Sequence, residues 1–133
     1  MRRLGVPDLV WLNTVVVRQT GSSPGVRDAG SLETVVARPY ASYGGNELFP
    51  SSCDKGAALM ESVIQRHPFL DGNKRTGLLA GAALLYLAGY DFVAPRTEMV
   101  EVPVALAEHE IGPEELSRWF EAHAEPRSRS GRE

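Results

Sequence analysis

The sequence predicts an all-α domain: about six helices around a central buried helix, with one short flap or hairpin, over residues 1–125 of a 133-residue chain. Three observations carry this expectation. Asn73 to about Ala88 is helical in composition and apolar on nearly every side (Leu78, Leu79, Ala82, Ala83, Leu84, Leu85, Leu87), as a helix at the centre of a bundle must be. Most other segments space their apolar residues by three or four between recognisable caps and breakers. Only Tyr40 to Pro50 reads as a hairpin, and no internal repeat interrupts the pattern.

In chain order, Pro7-Asp8 opens a first helix carrying Leu9, Val10, Leu12, Val15, Val16 and Val17; the valines alone would also suit a strand, but the spacing fits a helical face. Gly21 to Gly30 (GSSPGVRDAG) is a surface loop, after which Ser31 is the expected N-cap of a short helix ended by Pro39. The Gly44-Gly45-Asn46 turn makes the hairpin, whose edge is expected to face a ligand. Ser51 or Ser52 caps a helix through Ala57, Leu59, Met60, Val63 and Ile64, which stops at Arg66-His67-Pro68 because the residue before a proline avoids helical geometry. Gly89 ends the central helix, Thr97 or Glu98 starts another through about Glu108, and Pro113 starts the last, with Leu116, Trp119 and Phe120. The tail, residues 126–133, is expected to be flexible.

Composition narrows the function. With 43% hydrophobic and 23% charged residues, bulk disorder is excluded, and a net charge of −3 with pI near 5.6 argues against direct nucleic-acid binding through an overall positive field. Cys53 is the single cysteine, so there is neither an internal disulfide nor a cysteine zinc site, which fits a cytoplasmic location. The first residues lack a signal-like apolar stretch, and the longest apolar run, Leu78 to Leu87, falls far short of the roughly 20 residues that span a bilayer. No membrane association is expected.

One stretch concentrates polar chemistry between two helices that read as buried: His67-Pro68-Phe69-Leu70-Asp71-Gly72-Asn73-Lys74-Arg75-Thr76-Gly77. Gly72 allows close backbone approach, and the helix that follows begins with free N–H groups and the positive end of its dipole. Lys74 and Arg75 stand in that first turn, where the dipole disfavours cations, an arrangement that makes sense around a multiply charged anion such as an oligophosphate. Asp71 is a hard oxygen ligand suited to Mg²⁺ shared with phosphates. His67 is the candidate general base, a role worth ~10²–10⁴ in rate, and Phe69 an apolar plug holding the loop to the core. Taken singly, His67 reads as a helix-end cap, Asp71 as a loop acid and Asn73 as an N-cap; their joint occurrence favours a site. His109, His123 and Cys53 read as structural, and no Walker A, Rossmann or zinc-protease motif competes.

HPFLDGNKRTG resembles the signature of the Fic/Doc superfamily, whose filamentation branch reads HPFx(D/E)GNGRxxR. Gly25-Val26-Arg27-Asp28, Leu32-Glu33, Ala37-Arg38-Pro39, Lys55-Gly56-Ala57-Ala58 and Leu87-Ala88-Gly89-Tyr90 extend the likeness to the death-on-curing (Doc) branch over most of residues 6–122. The resemblance implies a Fic fold that uses ATP with Mg²⁺. In it His67 would be the base, Asp71 the metal-associated acid, and Gly72, Asn73, Lys74 and Arg75 the phosphate-holding turn, with His67, Asp71, Lys74 and Arg75 forming the catalytic set. It also implies one of two reactions: nucleotide monophosphate transfer to a protein hydroxyl, as in most Fic enzymes, or, as in the Doc branch, transfer of the terminal phosphate of ATP to a threonine of elongation factor Tu, which stops translation.

Two departures favour the second. Lys74 stands where nucleotidyl-transferring members carry Gly, and the trailing Arg of their signature falls on Leu78. The hairpin around Tyr40 to Asn46 is then expected to align the target backbone as an added strand. The inhibitory pattern (S/T)xxxE(G/N) of some Fic proteins is matched only as far as Ser117 to Glu121, which Ala122 follows, so restraint is expected in trans from a Phd-like antitoxin. AMP transfer, and a catalytically silent antitoxin-binding module, stand as the alternatives.

Overall fold

The computed structural model describes residues 2–127. Six α-helices dominate: α1 (Val6–Thr20), α2 (Ala29–Ala37), α3 (Ser52–Arg66), α4 (Asn73–Leu87), α5 (Arg96–Ala107) and α6 (Pro113–His123). Two small antiparallel pairs accompany them, β1 (Ser42–Tyr43) with β2 (Asn46–Glu47), and β3 (Tyr90–Phe92) with β4 (Ala124–Pro126).

Helices α3 and α4 form the central pair, with α1 laid against α4 and α6 against α3. Small residues let the pair approach closely. A Cβ at Gly56 would sit 3.2 Å from the Gly81 carbonyl oxygen, and one at Gly81 would lie 2.7 Å from Phe120 Cζ. One apolar cluster joins Leu9, Leu32, Val35, Leu59, Val63 and Phe69; another joins Met60, Ile64, Leu85, Leu106, Leu116 and Phe120, so α3 contributes to both. Helix α4 keeps one open face, with Leu79 and Tyr86 exposed.

Three expectations change. Ser31 lies inside α2; the cap is Asp28, whose carboxylate accepts the Ser31 N–H and hydroxyl, because aspartate reaches the N3 amide from an extended backbone. Pro126 is no tail residue: β4 pairs it with Tyr90, and the Arg127 N–H donates to the Gly89 carbonyl at 2.8 Å. The Arg127 guanidinium also stacks over the Tyr86 ring. The rest of the expected tail, residues 128–133, lies outside the described residues. The third change concerns the hairpin. Lys55, in the first turn of α3, donates to Glu47 and to the Phe49 carbonyl, which ties the hairpin to the N-terminal end of that helix. His67 follows the C-terminal end, so a 15-residue helix of about 22 Å separates them. The hairpin does not line the His67 loop.

Candidate active site

The loop from His67 to Gly72 joins the two central helices. The N–H of His67 still donates to the Val63 carbonyl, but its backbone is left-handed (φ 50°, ψ 57°), a conformation that costs a non-glycine residue about 1–2 kcal/mol. Pro68 next in sequence stops α3 there. The chain then runs antiparallel to the loop between α1 and α2. Val26 bridges Phe69, the Arg27 and Asp28 N–H groups donate to the Pro68 carbonyl, and the Leu70 N–H donates to the Gly25 carbonyl. The strand beside the loop is therefore the stretch from Gly25 to Asp28. Its Val26 backbone groups point away from the loop by the alternation of such a pair.

Phe69 is buried, and Asn73 holds it from both sides. The Asn73 Oδ1 accepts the Phe69 N–H at 3.1 Å, and its Nδ2 donates to the Phe69 carbonyl at 3.0 Å. These two bonds fix the orientation of the amide, so the NH₂ faces His67 Nδ1 at 3.3 Å. In the neutral imidazole the lone pair then lies on Nδ1 and the proton on Nε2. Asn73 is 6% exposed, and what it leaves to an anion is its backbone N–H.

Helix α4 opens on Gly72, whose φ of 76° suits glycine and whose position gives the helix no side-chain cap. A Cβ there would meet Val17 Cγ1 at 3.0 Å and Val16 Cγ1 at 3.2 Å. The close approach that glycine permits is thus made to α1. Asn13, buried in α1, donates to the Asp71 carbonyl at 2.8 Å and to Thr76 Oγ1 at 3.2 Å, fastening both sides of the turn. The uncapped first-turn amides point outward, an arrangement that receives anions.

Asp71 is exposed and its carboxyl is held below the usual carboxylate range, first by a hydrogen bond from the Ser22 side chain, then by the Gly72 N–H at 2.8 Å, with Lys74 nearby. It is the ionised acid of the loop. Arg75 donates to Gln19 Oε1 at 2.9 Å. Lys74 and Arg75 rim an open groove of about 620 Å³ between α4 and α5, with Arg96 also on the rim and Leu78, Met99, Val100 and Pro103 among its apolar residues. The loop therefore brings His67, Asp71, Asn73, Lys74 and Arg75 to one end of the α3–α4 pair.

The other histidines and the cysteine lie outside this loop. Exposed His109 follows α5 in a left-handed conformation, His123 packs its ring against Phe92 and Trp119, and burial pushes the half-buried Cys53 thiol up. Sequence reasoning missed Asn13 and Arg27, although Asn13 interrupts the apolar face shared by Leu9, Val16 and Val17.

A small helical domain whose two core helices are joined by a short loop bearing a histidine, an exposed aspartate and, in the next turn, two cations is the class these features define. The chain belongs to the Fic/Doc family, whose profile, described as Fic/DOC family, matches residues 3–85. It is similar to the protein named Toxin Doc of Mycolicibacterium smegmatis, 42% identical over 69 residues that cover 52% of this chain and 53% of that protein. It is also similar to Protein kinase doc of Escherichia phage P1, 29% identical over 112 residues that cover 84% of this chain and 86% of that one. The match to the mycobacterial toxin spans about half of that protein's length. Among the described residues, no helix is long and apolar enough to cross a membrane.

Proposed function

We propose that this chain is a Doc-type toxin that transfers the terminal phosphate of ATP to a Ser/Thr hydroxyl of a target protein. The observation that carries the reading is the first turn of α4: two cations, Lys74 and Arg75, beside uncapped amides and across the loop from His67. The names of the two relatives, a toxin and a protein kinase, support it, and so does Leu78 in place of the arginine used by nucleotidyl-transferring members.

In this mechanism the target hydroxyl oxygen attacks the γ-phosphorus, the bond to the β–γ bridging oxygen breaks, and ADP leaves. The hydroxyl proton passes to the His67 lone pair on Nδ1, the ring nitrogen that the Asn73 amide faces at 3.3 Å. Lys74, Arg75 and the α4 amides balance the charge spread over the transferring group. Mg²⁺ fits the donor set. Asp71 offers one exposed ionised carboxylate, the kind of hard oxygen donor that shares Mg²⁺ with water and phosphates. When bound it would neutralise phosphate oxygens.

The family resemblance points to elongation factor Tu as the target and to a Phd-like antitoxin as the partner that restrains the enzyme in trans, both in the cytoplasm. The target strand finds its edge at Val26, beside the loop, rather than at the distant hairpin. The test is His67→Ala, which abolishes transfer to the target while nucleotide affinity stays within about twofold; full activity in that variant would refute the assignment.

A further inference from the structure

We propose that Arg27 is a positioning residue that locks His67 in its working conformation. The Arg27 Nε donates to the His67 carbonyl at 2.6 Å, and its Nη2 donates to the Arg66 carbonyl at 2.7 Å. Both acceptors lie at the C-terminal end of α3, where helix carbonyls lack intrahelical partners and the dipole is negative. A planar guanidinium matches two adjacent carbonyls as a fork, with charge-assisted bonds. The residue it clamps is the one whose left-handed backbone is strained.

The clamp is preorganised. The Arg27 backbone N–H is bonded to the Pro68 carbonyl, and Val26 bridges Phe69, so the side chain starts from a fixed point beside the loop. Asp28 does not draw the guanidinium away in a hydrogen bond, because its carboxylate accepts from Ser31. Arg27 thus acts through His67 and not on phosphate: two of its three nitrogens are spent on main-chain oxygens. Without the clamp, His67 relaxes from the left-handed region and its ring leaves the Asn73 amide. Misplacement of a reacting group by about 1 Å can lower a rate by ~10²-fold.

The proposal rests on His67 being the base of the reaction above, and its test separates the two. Arg27→Met and Arg27→Lys are compared with the wild type in target phosphorylation, Mg-ATP affinity and the ¹H–¹⁵N correlation of the His67 imidazole. For Arg27→Met we expect kcat to fall by ~10–100-fold with nucleotide affinity within about twofold of wild type, and the imidazole nitrogens to move from the Nε2–H pattern toward averaged shifts. Arg27→Lys, keeping one carbonyl bond, falls between and serves if the Met variant does not fold. Unchanged kcat, or a loss confined to nucleotide affinity, would overturn the proposal. If the wild type shows no transfer at all, the reading of the reaction fails, and the imidazole spectra decide this proposal alone: unchanged spectra in both variants overturn it, and a shift upholds it.

Discussion

Replacing Asn73 with alanine removes the two hydrogen bonds that hold Phe69, together with the amide that faces His67. Phe69 is 1% exposed, so its N–H and C=O are left without partners away from water. An orphaned buried group costs about 1–3 kcal/mol; taking roughly 1.5 for each, and returning about 0.7 for the better helix propensity of alanine, gives a net loss of about 2.3 kcal/mol. With a urea m-value of about 1.5 kcal/mol/M, the unfolding midpoint falls by roughly 1.5 M. Equilibrium urea unfolding followed by circular dichroism measures it, and the slope shows whether unfolding remains a single transition. A midpoint within about 0.3 M of wild type would mean that the Asn73–Phe69 pair does not organise the loop.

Lys74→Ala weakens Mg-ATP binding by roughly tenfold or more, since a bond to a charged group contributes about 1.5–3 kcal/mol; calorimetric titration checks it, and unchanged affinity contradicts the phosphate role. Gly81→Val drives side-chain carbon toward Phe120 Cζ and the Gly56 carbonyl oxygen and destabilises the domain by about 2–3 kcal/mol, measured by urea unfolding. Acid weakens the fold in a defined window. Asp8, Asp28, Asp54 and Asp71 all have carboxyls lowered in the folded protein, Asp54 mainly by the Ser117 hydroxyl. Their contribution is complete above the unfolded value of about 3.9 and is lost as pH falls through the lower folded values. Thermal midpoints should hold steady from pH 7 to about 5 and drop below about 4, with Ser117→Ala removing part of that drop.

Much of the fold was legible because each helix carries its own punctuation. Ser51 and Pro113 start helices where their chemistry says they should, and His67-Pro68 stops α3. Strands β3 and β4 were not legible: three residues each, with 31 residues lying between Phe92 and Ala124, they carry no alternating pattern and exist only as a pair. The loop residues stood out because polar groups between two buried helices are expensive. Their division of labour did not. Asn73 reads equally well as a phosphate ligand, a cap or an internal brace, and only its two bonds to Phe69 show that its amide is turned inward. Arg27 sits 40 residues before His67 in an unremarkable loop, so its role depends on a turn that brings the two together. The hairpin's distance from the loop was readable, since a 15-residue helix lies between them in the sequence as in the structure.

The identity of the transferred group separates phosphoryl from nucleotidyl transfer, and ATP labelled in parallel at the α and γ phosphates reads it. The purified protein is incubated with Mg²⁺ and elongation factor Tu or a bacterial extract, with His67→Ala as the blank. Label from the γ position alone is expected on protein, and only with the wild-type histidine. Label from the α position would contradict phosphoryl transfer and assign nucleotidyl transfer.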